Sequence, residues 1–158
     1  MEDLSTRARS IAHMADVMRD FMASAVLFQD AVARTGGLNS TDLQTVGLLM
    51  SQGPATPGEL AERTGLSAGG AITAVIDRLE KAGYVSRQRD QADRRRVIVT
   101  ADADKVMREV GPIYGRVGAR WAAYLDTLTD EQIELANELF SRAGEINRDE
   151  IEQLKGQR

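Results

Sequence analysis

Three consecutive arginines, Arg94-Arg95-Arg96, are the densest charge in this chain, and two more, Arg87 and Arg89, lie just upstream. Planar guanidinium groups that never lose their charge suit phosphate and narrow minor-groove contacts. Asp93 stands beside them as an acceptor able to orient one arginine. Other chemistry is poorly supplied. There is no cysteine, so disulfides, thiolate catalysis, zinc-cysteine sites and thiol redox sensing are all excluded. His13 is the only histidine. A metal site needs several ligands, so a helix-surface or interface role suits it better than a metal role. The carboxylate pairs Glu59/Glu62 and Glu131/Glu134 fall at helix starts, where they complement the helix dipole. No nucleophile or base accompanies them, no phosphate-cradling loop is present, and no cofactor motif appears. The chain reads as a non-enzyme.

The net charge of −4 looks wrong for a phosphate binder, but the distribution is uneven. Residues 84–100 carry five positive and two negative side chains, whereas residues 129–158 carry eight acids and four bases. Screening confines each charge to about 8 Å at physiological salt, so a basic lobe on an acidic body still attracts phosphate.

The elements that must position the arginines follow from periodicity. Ile11, Met14, Met18, Phe21, Ala25, Phe28 and Val32 recur every three or four residues, which predicts a helix over 6–34 ended by Gly36-Gly37. That helix has more apolar face than a small domain can cover, and a second copy of the chain is the expected cover. A second helix is expected from Ser40 or Thr41, with a Thr41/Gln44 capping box and with Leu43, Val46, Leu49 and Met50 facing a core. Thr56-Pro57-Gly58-Glu59 is a compact helix start for a short third helix over 57–64, stopped by Gly65. Ser67 is expected to cap a fourth helix running to Ala82. Its buried side is Ile72, Val75, Ile76 and Leu79, and its outer side is Ala68, Gly69, Gly70, Thr73, Ala74 and Asp77. Small outer residues let a helix approach base edges closely. Two strands, 84–89 and 96–100, then flank the charged loop. A helix over 102–125 should kink or break at Gly111-Pro112. Thr129 and Gln132 frame the capping box of the last helix.

Helix, glycine turn, helix and arginine-tipped hairpin make a winged helix-turn-helix. The fold class is mainly α with a small β-hairpin wing. Residues 37–101 are the DNA-binding lobe, and 1–36 with 102–158 the helical dimerisation region. Two functions from different classes fit: a DNA-binding regulator, or a degenerate winged helix that only binds protein. Retention of the arginine run favours the first. No apolar run approaches the ~20 residues of a membrane helix. Met1-Glu2-Asp3 lacks a signal-peptide start, so a cytoplasmic protein is expected.

The stretch from Glu59-Leu60-Ala61 through Ile72-Thr73 and Asp77-Arg78-Leu79-Glu80-Lys81-Ala82-Gly83-Tyr84-Val85 to Asp93-Arg94-Arg95 resembles the MarR family of bacterial regulators. The resemblance implies a homodimer with interlocked terminal helices, bound to pseudo-palindromic double-stranded DNA, and repression relieved by a small phenolic or other aromatic ligand. Carried over, Ser67, Ala68, Gly69, Gly70 and Thr73 meet bases or phosphates in the major groove. Arg78 contacts a phosphate. Of Arg94 and Arg95, one enters the minor groove while the other pairs with Asp93. Arg87, Arg89 and Arg96 support them on phosphates. A ligand would meet Met14, Met18, Phe21 and Trp121, residues whose spacing also suits a core. The chain departs from the family pattern at Gly69 and Gly70, where larger polar residues are common. It departs again at Gln91, which replaces a proline, and at Val99-Thr100-Ala101-Asp102.

Overall fold

The computed structural model describes residues 6–90 and 92–156. The Gln91 departure lies outside the described residues. Seven helices and one hairpin are found among them: α1 (Thr6–Thr35), α2 (Ser40–Gln52), α3 (Pro57–Thr64), α4 (Gly70–Lys81), β1 (Val85–Arg89), β2 (Val97–Ala101), α5 (Ala103–Glu109), α6 (Gly111–Leu125) and α7 (Asp130–Gly156). The chain falls into two compact units, Met1–Ile113 and Tyr114–Arg158.

In the first unit, Val32 and Ala33 at the end of α1 pack with α2, α3, α4 and the hairpin around one aliphatic core. Leu60, Ile76 and Leu79 are fully buried, each worth about 1.5–3 kcal/mol relative to exposure. Elsewhere on α1, Phe28 packs half-buried against this core and Met18 and Ala25 are half-buried, while Ile11, Met14, Val17, Phe21, Met22 and Val26 are exposed.

Local start and stop signals set the boundaries. Thr56 and Glu59 close a capping box, with the Glu59 N–H donating to Thr56 Oγ1 at 3.3 Å and the Thr56 N–H to Glu59 Oε2 at 2.7 Å. Pro57 follows at the first turn, where its missing N–H costs nothing. The start of α2 differs from expectation. Asn39, not Ser40 or Thr41, is its N-cap, accepting from the Asp42 N–H at 2.8 Å. With that donor already satisfied, Thr41 lies inside the helix and no Thr41/Gln44 box forms. Met50, in the last turn and at the edge of the buried stripe, is 40% exposed rather than core.

The start of α4 differs too. Its N-cap is Gly69 without a side-chain cap, and Ser67 lies two residues earlier, ahead of the Ala68–Gly69 turn. Gly69 turns the chain at φ +107 and ψ −122, a region open to glycine and hostile to a side chain.

The strands pair antiparallel in the register Val85↔Ala101, Arg87↔Val99 and Arg89↔Val97, one residue later at each outer end than expected. Ala55, between α2 and α3, bridges to Val99 through reciprocal bonds of 3.1 and 2.8 Å. This fastens the hairpin to the helix-turn-helix. The expected interruption at Gly111-Pro112 is a complete break: α5 ends at Glu109 and α6 begins at Gly111.

In the second unit, the Thr129/Gln132 capping box forms as expected, with bonds of 2.9 and 3.3 Å. Trp121, Tyr124, Leu135, Phe140 and Ile146 are exposed. Among the described residues, no helix is long and apolar enough to cross a membrane.

Candidate nucleic-acid interface

α3, the left-handed turn at Gly65 and α4 form the helix-turn-helix. Leu60 and Ala61 are buried between the helices, and Leu66 packs partly buried against the same core. Ile72, Val75, Ile76 and Leu79 face inward as their spacing requires. Ser67, Ala68, Gly69, Gly70 and Thr73 are all exposed. They present one small-residue surface at the start of α4.

The wing loop is held by its own aspartates. The Asp90 N–H donates to the Arg96 carbonyl at 3.0 Å, and the Ala92 N–H to Asp90 Oδ1 at 2.8 Å. Asp93 holds the turn through the backbone: its Oδ1 accepts from the Arg95 N–H at 3.0 Å, where a guanidinium partner was expected. The short carboxylate folding back on a main-chain donor two residues on is an Asx turn.

The arginines divide by what they touch. Arg78 forks onto Asp42 of α2, at 3.2 and 2.7 Å. Arg87 pairs with Asp77 and Glu80 of α4. Arg89 donates to the Arg94 carbonyl at 3.2 Å, and Arg96 lies 3.4 Å from Glu59. Arg94 and Arg95 are exposed, and their side chains make no ion pair among the described residues. The hydrogen bonds from Thr56, followed by the charges of Arg96 and Arg63, hold the Glu59 carboxyl below its ordinary range. Asp42 and Glu80, the partners of Arg78 and Arg87, were not singled out from the sequence. The available signal was the spacing of Asp77 and Glu80, one turn apart on α4.

The ligand candidates belong to different units. Met14, Met18 and Phe21 lie on α1 in the first unit, and Trp121 lies on α6 in the second. Trp121 lines an open groove of about 370 Å3 with Val117, Arg120 and Tyr124. His13 is exposed on α1, and among the described residues no three His, Asp or Glu side chains cluster to hold a metal ion.

A buried helix-turn-helix core, a bare α4 start and a hairpin tipped with exposed arginines define a winged helix-turn-helix protein. Comparison with known proteins agrees. Residues 36–96 match the model of the MarR family. The chain is 39% identical over 140 residues to the HTH-type transcriptional regulator YcgE of Bacillus subtilis, covering 88% of this chain and 89% of that one. Its fold is similar to a MarR family protein from Bacillus stearothermophilus, with TM-score 0.70, 19% identity, and coverage of 89% and 96%. It is likewise similar to Streptococcus pneumoniae FabT, solved in complex with DNA, with TM-score 0.70, 16% identity, and coverage of 88% and 98%. The chain belongs to the MarR family of transcriptional regulators, and its winged helix is the DNA-binding module of that family. Such regulators are not enzymes.

Proposed function

We propose that this protein is a homodimeric, cytoplasmic repressor that binds pseudo-palindromic operators and is released by a small phenolic or other aromatic ligand. One observation carries the DNA part: among the described residues, Arg94 and Arg95 keep exposed guanidinium groups without an ion-pair partner at the wing tip, while the other wing arginines are engaged within the fold. The start of α4 lies in the major groove, with Ser67, Ala68, Gly69, Gly70 and Thr73 against bases or phosphates. One of Arg94 and Arg95 enters the minor groove, flanked by Arg89 and Arg96. Residues 37–101 form the DNA-binding lobe. Residues 1–36 and 102–158 form the dimerisation region, a role supported by the exposed apolar stripe of α1. The largely apolar groove at Trp121 supports an aromatic ligand, and Arg120, which also lines it, favours an acidic one.

Selection from a genomic fragment pool, followed by sequencing, tests this reading. Enrichment of a pseudo-palindrome with half-sites about one helical turn apart supports a dimeric regulator. A folded protein that enriches nothing refutes it.

A further inference from the structure

Arg87 is the central residue of β1. Alternation along the strand turns it to the same side as buried Val85. There it meets two carboxylates one turn apart on α4. Its Nη2 lies 2.5 Å from Asp77 Oδ1, and its Nη1 donates to Glu80 Oε2. Its main-chain N–H donates to Glu80 Oε1 at 3.2 Å. Glu80 therefore grips both the backbone and the side chain of one strand residue. The Arg87 side chain is 26% exposed, against 60% for Asp77 and 41% for Glu80, so the cation sits beneath the two anions. One positive charge facing two negatives leaves a net negative cluster, which repels a phosphate.

We propose that Arg87 is a positioning residue for DNA recognition: pinned by Asp77 and Glu80, it sets the wing against α4 and touches no phosphate itself. This rests on the reading that α4 and the wing engage one duplex together. They grip adjacent grooves only when the distance and tilt between them match the DNA. A rigid guanidinium fork restrains both, whereas an ammonium group on a flexible stem restrains neither. Losing the latch therefore costs discrimination between sequences more than it costs sequence-independent attraction.

Fluorescence anisotropy over a salt series tests this, with a duplex enriched from the genomic pool and a mixed-sequence duplex as probes. Arg87→Ala and Arg87→Lys should both keep the wild-type salt slope on the mixed duplex. Both should lose about tenfold in preference for the enriched one, the equivalent of one charge-assisted hydrogen bond. Asp77→Asn with Glu80→Gln should lose the same preference, although it removes two negative charges near the DNA. By contrast, Arg94→Ala with Arg95→Ala should flatten the slope by about 0.9 for each phosphate that is no longer neutralised. The latch is overturned if Arg87→Ala flattens the slope by about 0.9 and Arg87→Lys restores it, the behaviour of a side chain that neutralises a phosphate. It is equally overturned if the carboxylate variant keeps the wild-type preference. An unchanged slope for the Arg94, Arg95 variant is a separate result, and it counts against the role of the wing tip alone.

Discussion

Arg78 of α4 grips Asp42 of α2 at two points, Nε to Oδ2 at 3.2 Å and Nη2 to Oδ1 at 2.7 Å. Asp42 is 3% exposed, and it also donates its N–H to the Asn39 cap. The pair ties the recognition helix to the helix behind it. The hydrogen bond to Asp42 raises the Arg78 pKa above its usual value, against the opposing effect of burial. Two guanidinium nitrogens of the residue expected to contact phosphate are thus committed inside the lobe.

Removing that arginine strands a buried carboxylate. Arg78→Ala should destabilise the protein by about 1–3 kcal/mol in urea denaturation. Adding Asp42→Ala should cost much less than the sum of the single changes, because the stranded charge goes with it. Strict additivity would mean that the two side chains do not interact in solution.

Gly36 allows a close approach that no larger residue permits. A Cβ there would stand 2.8 Å from the Tyr84 hydroxyl and 3.1 Å from Val110 Cγ1. The same hydroxyl donates to the Gly36 carbonyl at 2.7 Å. Gly36→Ala should lower stability by about 1–3 kcal/mol, measured by thermal melting. Tyr84→Phe removes the nearer clashing atom, so the double variant should recover part of that loss. No recovery would place the strain at Val110.

The capping box of α3 carries a pH signature. Glu59 is held below its ordinary pKa by Thr56, so the folded state favours the carboxylate. The stabilisation is complete above the unfolded pKa, about 4.3 for glutamate, and is lost as pH falls through the lower folded value. Glu59→Gln should therefore melt below wild type at neutral pH, and the gap should close on acidification. A gap independent of pH would show that the carboxylate charge contributes nothing to the cap.

The wing tip is the simplest place to separate binding from folding. Arg94→Ala with Arg95→Ala should weaken DNA binding by about tenfold or more at physiological salt. Thermal unfolding should stay at the wild-type value, since neither side chain forms an ion pair among the described residues. Gel-shift titration beside a melting curve reads both. Unchanged affinity would remove the pair from the interface.

Much of the lobe was legible because its signals are local. Thr56, Pro57 and Glu59 announce a helix start within four residues. Ile72, Val75, Ile76 and Leu79 declare a buried face by spacing alone. Gly111-Pro112 marks a break. The misreadings were also local. Ser67 gave way to Gly69 because the backbone turns there, and Thr41 gave way to Asn39 because an earlier side chain already held the first free N–H. One acceptable cap displaced another, and sequence pattern does not rank them.

The sequence by itself determined the winged helix-turn-helix and the presence of an arginine wing, because periodicity, capping and turn chemistry act within a few residues. Only the tertiary structure decided which arginines are engaged within the fold. Asp42 meets Arg78 across 36 positions, Glu59 meets Arg96 across 37, and Asp77 meets Arg87 across 10. Charge attraction depends on distance in space, and nothing in the order of residues records which opposite charges folding brings within reach.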